Sequence, residues 1–161
     1  YNSIDAFVMP TRGEGWGLPI IQAMAMGLPT IATNFSGNVD FMTPETSYLI
    51  PLEGLRPVPS DSEYGAAPGK MWAEPSESAL RRLMRHVAAN PAEAARVGRR
   101  ARAHVVHHYS DDAIAQIVVK RSVELAERRA AENAAAEKKR QAAKASRMRP
   151  SLAGGGGGGG G

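Results

Sequence analysis

The pattern of apolar and polar positions at the start of the chain predicts a strand, a loop, a helix and a second strand. Asp5–Met9 is a short apolar run, which is typical of a buried strand. Leu18–Met26 has apolar side chains at helical spacing and is followed by Gly27, which suits a helix C-cap. A second apolar strand is expected over 29–33. Such a unit of about 30 residues joins parallel strands by a right-handed crossover, so we predict an α/β fold with a Rossmann-like parallel sheet.

The pattern after this unit predicts shorter strands and then C-terminal helices. A short helix is expected over 39–42 and a strand over 48–50, whereas 51–75 has little periodicity and is interpreted as a long loop. Three helices are expected next. They begin at Ser76, at the segment Asn90-Pro91-Ala92-Glu93, which resembles a capping box with proline at the first helical position, and at Ser110 before two aspartates.

Composition divides the chain into three predicted parts. Residues 1–125 are expected to form the globular domain, and 126–150 an alanine-rich, charged helical extension with little to bury. Residues 151–161 end in eight glycines and are expected to be a disordered tail. Because Tyr1 lies almost inside a strand, we interpret the chain as a piece of a longer protein.

Charge is distributed unevenly along the chain. The formal net charge is +4, but 120–149 contains ten Lys or Arg and four Glu, so the remainder carries −2. The globular part is therefore not expected to bind nucleic acid. The absence of cysteine fits a reducing compartment and a cytoplasmic protein. No apolar run approaches the roughly 20 residues of a membrane span, so none is expected in this segment.

The loop between the first strand and the first helix carries the most specific chemistry. Residues 12–19 read Arg-Gly-Glu-Gly-Trp-Gly-Leu-Pro. A glycine-rich turn that opens a helix directs backbone N–H groups and the positive end of the helix dipole at one point, where a phosphate can bind. Glu14 would repel a phosphate, so we expect it to accept hydrogen bonds from hydroxyl groups. A phosphate beside hydroxyls describes a nucleotide-sugar, and ligands of such sheets bind at the carboxyl ends of the strands.

Residues 5–42 resemble the donor-binding domain of retaining glycosyltransferases with the GT-B fold, the glycosyl transferases group 1 that include glycogen-synthase-like and sucrose-synthase-like enzymes. The family motif has a glutamate, a Gly-aromatic-Gly-Leu-Pro turn and a second glutamate eight positions after the first. Glu14–Pro19 matches the first part, and Gln22 takes the place of the second glutamate. Weaker similarity continues from Trp72 to about residue 125. The resemblance implies the C-terminal half of a GT-B fold.

The resemblance also implies roles for individual residues. Glu14 would be the catalytic-site residue that binds hydroxyls of the donor sugar, and Gln22 would stand where the ribose is held, without the charge-assisted bond of a glutamate. The remaining implied donor-binding residues are Gly15, Trp16, Gly17, Leu18, Ser36 and Gly37. Transfer with retention, no bound metal and no cofactor are implied, as are an unidentified acceptor and an N-terminal domain upstream of Tyr1.

Simpler interpretations remain open at several positions. Glu14 could be a solvated loop carboxylate, and Trp16 could only pack over the loop. Gln22 could be a polar residue on the outside of the helix, and Ser36, Gly37 and Asn38 could be only a turn. A histidine triplet has the spacing of metal ligands on a helix face, although a surface role is favoured: His104, His107 and His108. The rival function is a degenerate, non-catalytic transferase domain, suggested by Gln22, whose basic helix recruits a partner.

Overall fold

The computed structural model describes residues 1–59, 61–62 and 69–147, so the predicted tail 151–161 lies outside the described residues. Its centre is a three-stranded parallel sheet in the order β1 (Phe7–Met9), β2 (Thr30–Thr33) and β3 (Tyr48–Ile50). Helix α1 (Leu18–Ala25) connects β1 to β2. The predicted α/β fold with a parallel sheet is therefore confirmed, and so are the three strand positions.

A short 3-10 helix, Ser36–Asp40, follows β2 and begins three residues earlier than the helix predicted over 39–42. Its position is set by Asn38, which is buried and donates from Nδ2 to the backbone oxygen of Thr33 at 2.8 Å. This bond closes the chain back onto the end of β2. An asparagine in a polar segment carries no periodic signal of such a contact.

The prediction of a long loop over 51–75 is wrong, because this segment contains an antiparallel strand pair. Strand β4 (Leu52–Pro57) pairs with β5 (Met71–Pro75). Prolines at the strand ends and Gly54, which lies at an irregularity of the register with φ of 152°, hide the strands from a pattern-based prediction. Glycine inside a strand often marks such an irregularity.

Three helices complete the described chain, as predicted: α2 (Glu77–Ala89), α3 (Pro91–Tyr109) and α4 (Asp111–Arg147). Ser76 caps α2 by accepting a hydrogen bond at Oγ from the Ala79 N–H at 3.4 Å. Contacts group the chain into one compact unit, Tyr1–Ile114, and a second that begins at Ala115. The division predicted after residue 125 falls inside α4, which continues there without a break.

The capping box predicted at the start of α3 does not form. Pro91 is the first residue of α3, but the Asn90 side chain donates to the backbone oxygen of His86 at 2.8 Å instead of capping. Glu93 accepts a hydrogen bond from the Tyr48 hydroxyl at 2.5 Å. Burial, followed by the bond to this carboxylate, raises the pKa of Tyr48. Both polar side chains are thus used in other contacts, and Glu93 ties α3 to β3.

The core covers both faces of the sheet, because successive side chains of β2 point to opposite faces. Ala32 contributes to a cluster with α1 and α3, and Ile31 to one with α2 and α3. The first cluster comprises Ile20, Met24, Ala32, Phe41, Met42, Ala101 and Val105; the second comprises Ile31, Tyr48, Ile50, Val87, Ala94 and Val97. The helices therefore bury the sheet and leave its carboxyl edge to the loops.

Candidate functional site

The glycine-rich loop lies at the carboxyl edge of the sheet and is held by its main chain. The Thr33 hydroxyl donates to the Thr11 backbone oxygen at 2.7 Å. The Ala73 N–H of β5 donates to the Arg12 backbone oxygen at 2.9 Å. The loop is thus tethered both to β2 and to the β4–β5 pair. Ligands bind at this edge in open parallel sheets.

Gly17 sets the geometry at which the loop enters α1. Its φ of 93° and ψ of 47° are left-handed, a conformation that glycine adopts without steric cost. A Cβ here would lie 3.2 Å from Ile20 Cδ1 and 3.3 Å from Asn38 Cβ. Pro19 occupies the first turn, where a missing N–H costs nothing. Gly17 and Pro19 are therefore residues that suit their positions, and α1 begins at Leu18, as the sequence predicts.

The start of α1 offers unused hydrogen-bond donors. Within the described residues, no protein acceptor receives a hydrogen bond from the N–H groups of Gly15, Trp16, Gly17 or Leu18. Leu18 and Trp16 are exposed, at 61% and 37% of their surfaces. Free N–H groups at a helix N-terminus carry partial positive charge and attract anions.

Glu14 stands beside these donors and is half-buried. In the part of the chain that the structure describes, its carboxylate has neither an ion-pair partner nor a hydrogen-bond donor. Arg12, two residues earlier, points elsewhere: its guanidinium contacts the Glu74 carboxylate at 3.1 Å and lies 5.4 Å from the centre of the Trp72 ring. The hydrogen bond from Arg12 lowers the pKa of Glu74. Arg12 is therefore not a partner of the Glu14 carboxylate in the described structure.

Trp16 both packs and remains accessible. Its ring centre lies 5.4 Å from that of buried Phe41 and 5.8 Å from that of Tyr109. The Tyr109 hydroxyl donates to the Asp40 backbone oxygen at 3.0 Å. The indole is therefore fixed from behind by two aromatic rings, which supports the packing interpretation while leaving part of the ring at the surface.

Gln22 lies four residues after Leu18, so the two share one side of α1. Gln22 is exposed, and its Oε1 accepts a hydrogen bond from the Tyr1 hydroxyl at 3.1 Å. The same hydroxyl contacts the Pro19 backbone oxygen at 3.1 Å. The structure thus places Gln22 on the same side of α1 as Leu18, and its amide oxygen already accepts a hydrogen bond from Tyr1.

Ser36 and Gly37 contact the main chain of the loop. The Ser36 hydroxyl accepts a hydrogen bond from the Glu14 N–H at 2.7 Å, and the Gly37 N–H donates to the Glu14 backbone oxygen at 3.1 Å. The structure therefore brings both residues together with Glu14 through contacts to its backbone, and their predicted role in donor binding stays a prediction.

Sequence reasoning missed several residues that shape the site. Thr33 is a buried polar residue without a periodic signal, and Tyr109 lies at the end of a helix far along the chain. Trp72 and Glu74 belong to the strand pair that the sequence does not predict. The one feature of the sequence that could have pointed to Trp72 and Glu74 was the weak similarity to the glycosyltransferase family that begins at Trp72.

The histidines of α3 lie close together without forming a metal site. The ring centres of His104 and His108 are 4.7 Å apart, and those of His107 and His108 are 4.5 Å apart. Among the described residues, no group of three His, Cys, Asp or Glu is arranged to hold a metal ion. The surface or interface role that the sequence favours for these histidines stays a prediction.

Comparisons with known proteins relate the N-terminal part of the chain to glycosyltransferases. The family model for glycosyl transferases group 1 matches residues 1–55. The chain is 41% identical over 59 residues to the lipopolysaccharide core biosynthesis mannosyltransferase LpsB of Rhizobium meliloti, covering 35% of this chain and 17% of that protein. It is 39% identical over 51 residues to the capsular polysaccharide biosynthesis glycosyltransferase CapM of Staphylococcus aureus, covering 31% and 13%.

A solved structure extends the likeness over most of the fold. Sucrose-phosphate synthase from Thermosynechococcus elongatus superposes with a TM-score of 0.55 at 26% identity, covering 75% of this chain and 25% of that one. This likeness and the family match support a GT-B glycosyltransferase domain, with which the parallel sheet and the glycine-rich loop before α1 agree. The chain is similar to the glycosyl transferases group 1 over residues 1–55. It spans less than a fifth of the length of the curated relatives named above.

One further finding concerns membranes. Within the described residues, every helix is too short or too polar to cross a lipid bilayer.

Proposed function

We propose that this chain binds a nucleotide-diphosphate sugar and forms the donor-binding part of a glycosyltransferase that retains the anomeric configuration. The observation that supports the proposal most directly is the unpaired, half-buried carboxylate of Glu14 beside the free N–H groups at the start of α1. Amides of this kind suit a diphosphate, and a carboxylate suits sugar hydroxyls. Both ligand types occur together in a nucleotide-sugar.

Each part of the loop has a distinct task in this proposal. The N–H groups of Gly15–Leu18 meet the sugar and the diphosphate, and Glu14 accepts hydrogen bonds from the sugar. As the bond between the sugar and the diphosphate breaks, negative charge grows on the departing phosphate. Preorganised backbone donors and a helix N-terminus stabilise such charge without reorganising, which is a large contribution to catalysis in general. Gln22, on the side of α1 shared with Leu18, stands where the resemblance puts the ribose.

Catalytic turnover is proposed for the longer protein and not for this chain. The acceptor would bind to an N-terminal domain upstream of Tyr1, which fits the small share of the relatives that the chain covers. This chain would hold part of the donor but would not transfer the sugar. The donor and the acceptor would meet at the edge of the sheet where the loop lies.

Binding to the chain itself tests the proposal. The purified chain is titrated calorimetrically with UDP-glucose and GDP-mannose, and with UDP and GDP alone. We expect Glu14→Ala to weaken binding of the preferred nucleotide-sugar by about 10- to 100-fold, because hydrogen bonds to a charged group contribute about 1.5–3 kcal/mol. Binding of the bare nucleotide should change little. Glu53→Ala, which removes an exposed carboxylate of β4, is the matched control and should bind like the unmodified chain.

Two results would contradict the proposal. Equal affinity of Glu14→Ala and the unmodified chain for every nucleotide-sugar would reject the role of Glu14. Failure of the folded chain to bind any of the four nucleotides would favour the non-catalytic module. In that alternative, the amide oxygen of Gln22 serves only its bond to Tyr1.

A further inference from the structure

We infer that Ser36 and Gly37 form a positioning turn, which fixes the main chain of Glu14 so that its carboxylate faces the donor sugar. The inference rests on the proposed function, since it gives the turn a task in sugar binding. It differs from the role of donor ligand expected from the sequence, because neither residue needs to touch the nucleotide-sugar.

Both polar groups of the Glu14 backbone are occupied by the turn. The Glu14 N–H donates to Ser36 Oγ at 2.7 Å, and the Glu14 carbonyl oxygen accepts from the Gly37 N–H at 3.1 Å. Two bonds to one peptide residue limit rotation of its backbone, and this sets the direction in which the side chain leaves. They also remove the Glu14 N–H from the donors available to a ligand. The free amides therefore begin only at Gly15.

The conformation of Ser36 indicates that its hydroxyl is needed. Ser36 has a φ of 65°, and within the described residues it is the one residue other than glycine with a positive φ. Such a conformation carries a cost for residues with a Cβ, which glycine avoids. A turn that only had to reverse the chain would be formed with less strain by glycine. Serine is therefore explained by the hydrogen bond that its side chain forms with Glu14. Strained residues held in this way often lie at functional sites.

Gly37 is required for a different reason. A Cβ on Gly37 would lie 2.2 Å from the Gly15 backbone oxygen and 2.7 Å from the Gly15 carbonyl carbon. Any side chain would push the loop away from the turn. The loop and the turn thus approach backbone to backbone, which is the closest packing that a protein chain allows. Ser36 supplies the bond, and Gly37 supplies the proximity that makes it possible.

The two properties of Ser36 allow a sharp test with Ser36→Gly. This change removes the hydroxyl and relieves the strained φ, so the melting temperature should stay within about 2 °C of that of the unmodified chain. Affinity for the preferred nucleotide-sugar should nevertheless fall by about 3- to 10-fold, as expected for one lost hydrogen bond. Affinity for the bare nucleotide diphosphate should stay the same.

A matched control and a second readout separate positioning from general stability. Ser47→Ala removes another serine hydroxyl that forms a hydrogen bond to the main chain. Ser47 is buried and donates to the Thr43 backbone oxygen at 2.7 Å, in a turn without a contact to Glu14. It should leave nucleotide-sugar affinity unchanged. Amide hydrogen exchange, measured by NMR without ligand, should accelerate about tenfold at Glu14 in Ser36→Gly but not in Ser47→Ala.

The outcomes distinguish this inference from the proposed function. If Ser36→Gly weakens binding of the bare nucleotide as much as binding of the nucleotide-sugar, Ser36 is a ligand of the diphosphate and the positioning role is wrong. Unchanged exchange at Glu14 in Ser36→Gly, beside normal nucleotide-sugar binding by the unmodified chain, would overturn the positioning role alone. Failure of the unmodified chain to bind any of the four nucleotides would instead contradict the proposed function, and the role of the turn in sugar binding with it.

Discussion

His104 is a residue whose surroundings oppose its charged form. Its Nε2 atom is buried and has no hydrogen-bond partner among the described residues. Burial lowers its pKa, and the neighbouring His108 and His107 add to the effect. The unfolded chain, in which His104 has its ordinary pKa of 6.5, therefore takes up a proton more readily than the folded chain. Folding is favoured by the neutral imidazole.

This difference predicts a loss of stability on mild acidification. The free energy of unfolding should decrease as the pH falls through about 6.5, and the loss from this residue should end once the folded state is also protonated. Urea unfolding at pH 7.5, 6.5 and 5.5 measures it. His104→Phe keeps a ring but cannot titrate, so its pH dependence over this range should be smaller. An undiminished pH dependence in His104→Phe would show that other groups cause it.

The role of a residue could be predicted where its type restricts the backbone conformation. Gly17 and Pro19 fit few backbone conformations, so the loop and the start of α1 follow from the sequence. The bond of Ser36 to Glu14 was not predictable, because it joins residues 22 positions apart. Glu93 was misinterpreted for the same reason, since a local capping position and a distant tyrosine compete for one carboxylate.

At the scale of elements, the packing of α3 depends on a glycine, which has no side chain. Gly98 lies in the interior of α3, where glycine usually destabilises a helix by about 1 kcal/mol relative to alanine. A Cβ at this position would lie 2.1 Å from the Gly27 backbone oxygen and 2.9 Å from the Gly27 carbonyl carbon. Helix α3 therefore approaches the turn after α1 at backbone distance. The side chain of Arg102, one turn later, donates to the Ala25 backbone oxygen at the end of α1.

Gly98→Ala should accordingly destabilise the protein, against its helix propensity. Overpacking typically costs about 1–3 kcal/mol, and the contact here is with backbone that cannot rotate away. We expect a decrease of about 2 kcal/mol in the free energy of unfolding, measured by chemical denaturation. Ala103→Gly at an exposed position of α3 is the comparison, and propensity alone predicts a loss of about 1 kcal/mol there. A more stable Gly98→Ala variant would contradict this account of the helix contact.

Helices and strands could be predicted where apolar residues recur along a segment with the spacing of one type of secondary structure. The unit from β1 to β2 has clear apolar periods, and its strand and helix positions are confirmed. The β4–β5 pair was missed because most of β4 is exposed and carries no alternating pattern, with Gly54 and Pro57 obscuring what remains. Its position depends on tertiary contacts such as the bond from the Ala73 N–H to the Arg12 backbone oxygen.

For the molecule as a whole, the buried side chains and α4 occupy different parts of the sequence. Every buried hydrophobic residue in the described ranges lies between Ile20 and Val105. Large apolar side chains of α4 are exposed, including Ile117 at 60% and Val118 at 57%. The compact unit Tyr1–Ile114 thus contains the whole described core. Its stability should depend on its own contacts and little on the residues beyond 125.

Truncation of the chain after residue 125 tests this expectation. The shortened chain should lose helical signal in circular dichroism, because α4 extends to Arg147, but its thermal midpoint should stay within about 2 °C. Tyr109→Ala in the complete chain is the contrast. It removes a ring that packs against Phe41 and Trp16 and a hydroxyl bonded to Asp40, so it should cost about 2 kcal/mol. A truncated chain that melts as early as Tyr109→Ala would mean that residues beyond 125 stabilise the sheet and its loop.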